Sequence, residues 1–183
     1  MQPRLSDEVV ALRPWRDEDV PAKFRAFSDP EIQRFSWPEA RPYTEDDAWA
    51  THRLHEQAWD DGTGAEFAVV SPADEDELLG GASVYDIEAA YARGSVGYWV
   101  APHARRRGVA THAVLLLARW AFAELAIERL QLTCGPDNHA SQRVAARAGF
   151  TREALLRSHL PFKGGRRDTV VFSLLPHELE TRS

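Results

Sequence analysis

Three arginines and a glycine stand together in Tyr98-Trp99-Val100-Ala101-Pro102-His103-Ala104-Arg105-Arg106-Arg107-Gly108-Val109-Ala110-Thr111. The aromatic and β-branched start reads as a strand ending at Pro102. Beyond the turn, a helix is expected from about Arg107 to Leu125, with Ala113, Leu117, Trp120, Ala121 and Leu125 along one face. A glycine loop at a helix start offers unpaired backbone N–H groups and the positive end of the helix dipole together. Gly108 and Ala110 are small enough for a pyrophosphate to approach the backbone closely. Arg105, Arg106 and Arg107 add charge and bidentate donors. The plainer alternative is a solvated basic turn before an ordinary helix.

A second candidate pair is Asn138 and Ser141, at the start of a short helix expected over Ala140 to Ala148 and punctuated by Gly149. Both are good capping residues, and capping is their bland role. Cys134 ends the expected strand Leu130-Gln131-Leu132-Thr133-Cys134, where a nucleophilic role competes with that of a small buried hydrophobe. No spacing argument singles out His103 or His159 for proton transfer.

These groups need a frame to hold them. Val9 to Leu12 reads as a first strand. Asp17-Glu18-Asp19 then opens a helical run through Val20, Phe24 and Phe27 that Asp29-Pro30 breaks. Thr44-Glu45-Asp46-Asp47 matches a capping box with Thr44 as N-cap of a second helix, which Gly62 follows. Phe67 to Val70, Leu78 to Val84 and Gly94 to Val100 form an expected antiparallel meander. Leu155 to Leu160 and Thr169 to Leu175 flank the turn Lys163-Gly164-Gly165. No Gly/Pro/Ser linker divides the order, so residues 1–183 read as one α+β, or mixed α/β, domain.

Composition narrows the classes. The 183 residues are 44% hydrophobic and 27% charged, an ordinary globular mix that excludes collagen-like and disordered chains. Lys plus Arg is 22 and Asp plus Glu is 28, for a net charge of −6. That argues against nucleic acid or an anionic membrane as the dominant partner, although a local basic cradle is compatible with it. A single Cys excludes an intramolecular disulfide. The seven His show no metal-ligand spacing, so no metal is expected. Without a signal-like start or an apolar run near the ~20 residues a bilayer needs, a cytoplasmic protein is the expectation.

Arg105-x-x-Gly108-x-Ala110 matches the R/Q-x-x-G-x-G/A pattern of the GNAT superfamily of N-acetyltransferases. Gly97-Tyr98-Trp99-Val100, Ala110-Thr111, Asn138-x-x-Ser141, Gly149-Phe150-x-x-Glu153 and Gly165-Arg166-x-Asp168 follow in order along nearly the whole chain. Together they resemble the RimJ/RimL-type branch, which modifies ribosomal-protein N-termini.

The resemblance implies a mostly antiparallel mixed sheet of about seven strands, splayed at the cofactor and flanked by helices. Acetyl-CoA would lie between two strands, its pyrophosphate on Arg105, Arg106, Arg107, Gly108, Val109, Ala110 and Thr111. The backbone of Tyr98 and Trp99 would orient the thioester carbonyl, and the strand through Val100 would pair with the pantetheine amides. Asn138 would contact the pantetheine arm. Ser141 would either protonate the departing thiolate as general acid or only touch the cofactor. Trp37 and Tyr43 fall in the helical region that lines the acceptor cleft in this fold, where core packing is their alternative role.

Two departures from that branch leave its general base unassigned. His112 stands where Glu usually follows the Ala-Thr pair, and Ser95 and Val96 stand where an acidic residue is common. Glu88, Asp86 and Glu66 are alternatives near strand ends, each also readable as a solvated surface carboxylate. An α-amino group has a pKa of about 7.7–8.0, so a water chain to bulk can also suffice. The implied activity is acetyl transfer from acetyl-CoA directly to a primary amine, on a protein N-terminus or a small molecule, by a monomer or homodimer. The competing class is a non-catalytic acyl-CoA-binding or sensory domain. A nucleic-acid binder using Arg105 to Arg107 lacks the interleaved aromatics such a surface needs.

Overall fold

Short apolar runs separated by turns pair into one sheet in the computed structural model, which describes residues 2–180. Its strands are β1 (Leu5–Ser6), β2 (Ala11–Pro14), β3 (Ala65–Val70), β4 (Leu78–Glu88), β5 (Arg93–Val100), β6 (Arg129–Cys134), β7 (Thr151–Phe162) and β8 (Gly165–Leu174). They lie in the order β1-β2-β3-β4-β5-β6-β8-β7, and every neighbouring pair is antiparallel except β5 with β6. The helices are α1 (Val20–Phe27), α2 (Pro30–Ser36), α3 (Glu45–Asp60), α4 (Val109–Glu124), α5 (His139–Arg147) and α6 (Pro176–Glu180).

The expectation of about seven strands falls one short, because the eighth is the two-residue β1, too brief to carry a period. Helix α2 was also hidden. Asp29-Pro30 ends α1 and immediately opens α2: the Asp29 carboxylate accepts from the N–H groups of Glu31 and Ile32, both at 3.0 Å, and Pro30 takes the first turn. The Thr44 capping box forms as expected, with Asp47 as its reciprocal acceptor.

Alternation along the strands separates two cores. Phe67, Val69 and Val84 pack with Val114 and Leu117 of α4 on one face. Ala68, Val70 and Trp99 pack with Phe27, Ile32 and Tyr43 on the other, beneath α1, α2 and α3. Period 2 in each strand forces this division. The N-terminal helices are pinned by a bidentate pair: Arg13 Nη1 and Nη2 donate to the Asp19 carboxylate at 2.7 and 2.9 Å, with both residues buried.

The central pairing does not run to its end. β5 and β6 register from Arg93↔Arg129 to Val96↔Leu132 and no further, although β5 continues to Val100 and β6 to Cys134. Each strand is held on its outer edge, Val100 by Gly80 of β4 and Cys134 by Val170 of β8. The two therefore diverge as a wedge with unpaired inner edges.

Candidate active site

One lip of the wedge is the arginine loop. Gly108 is the N-cap of α4 with φ +82°, and Arg106 before it is also left-handed at φ +62°. The first turn bond is His112 N–H to the Gly108 carbonyl, 3.1 Å. The N–H groups of Val109, Ala110 and Thr111 precede it and have no intrahelical acceptor. Arg106, Arg107 and Gly108 are exposed, as a loop that meets an anion requires. Arg105, expected to contact the pyrophosphate, also carries ion pairs within the protein. Its guanidinium sits 2.5 Å from the Asp29 carboxylate and 2.9 Å from that of Glu31. Burial alone would raise the Asp29 carboxyl, but the Arg105 bond and charge, with the α2 amides, hold it below its usual range. Arg105 thus ties the loop to the start of α2. His112 lies 2.8 Å from the Asp7 carboxylate, which ties α4 to the chain ahead of β2.

Gly108→Val would place a β-branched residue at positive φ, a strain of about 1–3 kcal/mol, with its Cβ 3.3 Å from the His112 ring. Losing even one charge-assisted bond to the pyrophosphate, worth about 1.5–3 kcal/mol, should weaken acetyl-CoA binding roughly 10–100-fold. Titration calorimetry on the folded variant checks it. Arg105→Ala should raise the acetyl-CoA KM more than it lowers kcat, since the loop is remote from the reacting carbonyl. Asp29→Asn should shift KM in the same direction if the tie matters.

Inside the wedge, Tyr98 and Ser141 meet. The Tyr98 phenol donates to Ser141 Oγ at 3.0 Å, and burial pushes its pKa up to about 12, so it stays a donor. With a lone pair engaged by Tyr98, the Ser141 hydroxyl has its own proton to give, and in this structure the Cys134 sulfur is within its reach. The Ser141 backbone N–H is capped by Asn138 Oδ1 at 3.0 Å, so the capping role read for Asn138 holds. Cys134 is beside them; burial pushes its thiol pKa up, as for a buried small residue and unlike an activated nucleophile. The side-chain contact of Tyr98 was invisible in sequence, where only its backbone was assigned.

A cavity of about 430 Å³ opens from the wedge across the face that carries α1 to α3. Tyr98, Trp99, Asn138 and Ser141 line it, and so do Trp37 and Tyr43. Trp37 and Tyr43 are also packed against each other, edge to face at 4.9 Å, as the core-packing reading expects. Trp99 stacks on Trp15 at 6.2 Å and meets the Phe27 edge at 5.3 Å. The β7–β8 hairpin closes the far side: Arg167 Nη1 donates to the Phe35 carbonyl at 3.2 Å, and Lys163 N–H to that of Pro38.

Glu66 is corrected as a surface carboxylate. Its side chain is 12% exposed and lines the cavity with His55 and Lys23. Burial would raise its carboxyl, but the hydrogen bond and charge of His55, and the charges of Lys23 and His52, hold it below the usual carboxylate range. Lys23 is pushed down by burial, partly offset by Glu66. Neither Lys23 nor His55 had a sequence signal, because helix α1 and helix α3 carry them to β3 only by packing. Glu88 instead pairs with Arg93 at the surface, 2.7 Å apart.

A sheet wedged open beside a helix that starts on bare amides is the frame of an acyl-CoA-dependent transferase fold. A family model described as acetyltransferase (GNAT) domain matches residues 10–151, and the chain belongs to that family. It is an acyltransferase of the GNAT type. Over 175 residues, 96% of this chain and 98% of the relative, it is 26% identical to the Bacillus subtilis uncharacterized N-acetyltransferase YoaA. Mycobacterium smegmatis RimJ in complex with a CoA-disulfide superposes with a TM-score of 0.80 at 25% identity, covering 97% of this chain and 88% of that one. RimL, a ribosomal L7/L12 α-N-protein acetyltransferase in complex with coenzyme A, gives a TM-score of 0.83 at 19% identity over 94% and 98%. Among the described residues no helix is long and apolar enough to cross a membrane.

Proposed function

We propose that this protein transfers the acetyl group of acetyl-CoA directly to a primary amine, on a protein N-terminus or a small molecule. The observation that carries the reading is the wedge between β5 and β6, whose unpaired strand edges open onto the same cavity as Tyr98 and Ser141. When bound, acetyl-CoA supplies an activated acyl carbon. The amides of Val109, Ala110 and Thr111 and the exposed Arg106 and Arg107 would hold its pyrophosphate. The free inner edge of β5, from Gly97 to Val100, would pair with its pantetheine amides. The backbone N–H of Tyr98, on the inner edge of β5, would orient the thioester carbonyl and stabilise charge developing on its oxygen, whereas register turns the Trp99 N–H toward Gly81 of β4. Ser141, with Tyr98 donating into it, would give its proton toward the sulfur as the C–S bond breaks. Holding both substrates in one cleft supplies proximity, worth about 7–11 kcal/mol in favourable cases.

The names of RimJ and RimL point to ribosomal-protein N-termini as the first acceptors to try. A thiol-release assay with acetyl-CoA and an amine panel that includes such peptides tests the reading. Transfer to at least one amine is expected. Tight acetyl-CoA binding with no release against any amine would replace it with a non-catalytic acyl-CoA-binding domain.

A further inference from the structure

We propose that Glu66 is the group that receives the acceptor amine and takes its proton, with His55 and Lys23 as the residues that position it. The inference rests on the acetyl-transfer reading above. Its geometry begins with sheet register. Glu66 pairs with Ser83, and Ser83 pairs with Gly97, so the three share one row and one face of the sheet. Two strand spacings, about 10 Å, separate Glu66 from the splayed strand. Within the row only the Ser83 hydroxyl stands between them, Gly97 has no side chain, and the Tyr85 ring from the same strand as Ser83 borders it at Gly97. A Cβ at Gly97 would lie 3.1 Å from Tyr85 Cε1 and 3.3 Å from Ser83 Oγ, closing the row. A buried carboxylate therefore looks along an open floor toward the place where the thioester carbonyl would be held.

The carboxylate is only half satisfied. Oε2 lies 2.8 Å from His55 Nε2, whereas Oε1 lies 4.0 Å from Lys23 Nζ, beyond hydrogen-bond reach. The charged and titratable groups that face Glu66 are Lys23 of α1, His55 and His52 of α3, and the Tyr43 phenol between α2 and α3. His52 is itself held by Asp17 at 3.0 Å. Oε1 faces the cavity without a donor within hydrogen-bond distance, and an incoming amine supplies one. Phe27, Tyr43 and Trp99 around it offer apolar walls to the carbon next to that amine.

The proton balance closes. The amine lone pair forms the N–C bond, and the C–S electron pair leaves on sulfur. The nitrogen proton passes to Glu66 Oε1, directly or through one water along Ser83, and returns to solvent after release. Once bonded to the carbonyl carbon, that nitrogen is far more acidic than a free ammonium, so a carboxylate suffices as base.

Glu66→Gln tests it, assayed with phenethylamine and with an alanine-terminated peptide. The expected result is a kcat lower by roughly 10²–10⁴, with the acetyl-CoA dissociation constant unchanged. Glu66→Ala should regain part of its rate on addition of formate, which a packing role would not give. Because Glu66→Gln leaves Lys23 buried opposite a neutral group, the Lys23→Gln/Glu66→Gln double variant is measured alongside. It should be as slow as the single variant. Wild-type rates in either folded variant would overturn the proposal while leaving acetyl transfer standing. A wild-type protein inactive on every amine would sink both.

Discussion

Ser141→Ala is expected to lower kcat by roughly 10²–10⁴, the range for a positioned proton donor, with the acetyl-CoA dissociation constant unchanged. The reason is the direction of one hydrogen bond. Tyr98, kept protonated by burial, donates into Ser141 Oγ at 3.0 Å. That leaves the serine proton, held only by the weak acceptor Cys134, to turn to a sulfur that carries charge as the bond breaks. An interaction made chiefly in the transition state changes kcat and spares binding. Tyr98→Phe should show a smaller loss of the same kind, since Ser141 keeps its proton but loses its orienting donor. Calorimetry and single-turnover rates on the same preparations separate the possibilities. Weaker acetyl-CoA binding with normal kcat at saturation would reduce Ser141 to a cofactor contact. A rate loss below tenfold with unchanged affinity would make it a helix-start residue.

The second large effect lies far from the chemistry. Asp19→Ala should destabilise the protein by about 3–5 kcal/mol, because it strands the Arg13 charge in the interior. Arg13 also donates to the Glu75 carbonyl at 2.8 Å and the Pro14 carbonyl at 3.0 Å, and these bonds do not neutralise a guanidinium. Out of a typical total of 5–15 kcal/mol this is a large share, and the melting temperature should fall by about 6–20 °C. The Arg13→Met/Asp19→Leu double variant should recover most of the loss, since replacing both partners by apolar groups is often neutral. Urea unfolding of the three proteins decides it. A single variant within 1 kcal/mol of wild type, on the scale of about 0–1 kcal/mol for exposed pairs, would mean that water reaches the pair.

Local sequence determined much of the frame. Periodicity located β3 to β6, α4 and the β7–β8 hairpin, since each spans enough residues for a period of 2 or 3.6 to stand out. Capping chemistry placed α3 at Thr44 and the start of α5 at Asn138, because a cap is satisfied within three residues of its own position. The Gly108 loop was legible for the same reason: an N-cap glycine, a turn of arginines and a small-residue helix start are contiguous. Short elements escaped, β1 with two residues and α2 with seven, since neither completes a pattern.

Contacts between distant segments were left to the tertiary structure. Nothing near Arg105 announced that Asp29 and Glu31, more than 70 residues away, would hold it. The Tyr98 hydroxyl reached Ser141 only once α5 had docked against the splayed strand. Glu66 looked like any acidic residue in a strand, because burial belongs to the cover and not to the residue. The cover comes from α1 and α3, which bring Lys23 and His55 to it across 43 and 11 residues of chain. Backbone patterns are set by neighbours along the chain, so sequence displays them. A half-paired carboxylate in a cavity is set by which helices close over which face of the sheet, and packing alone decides that.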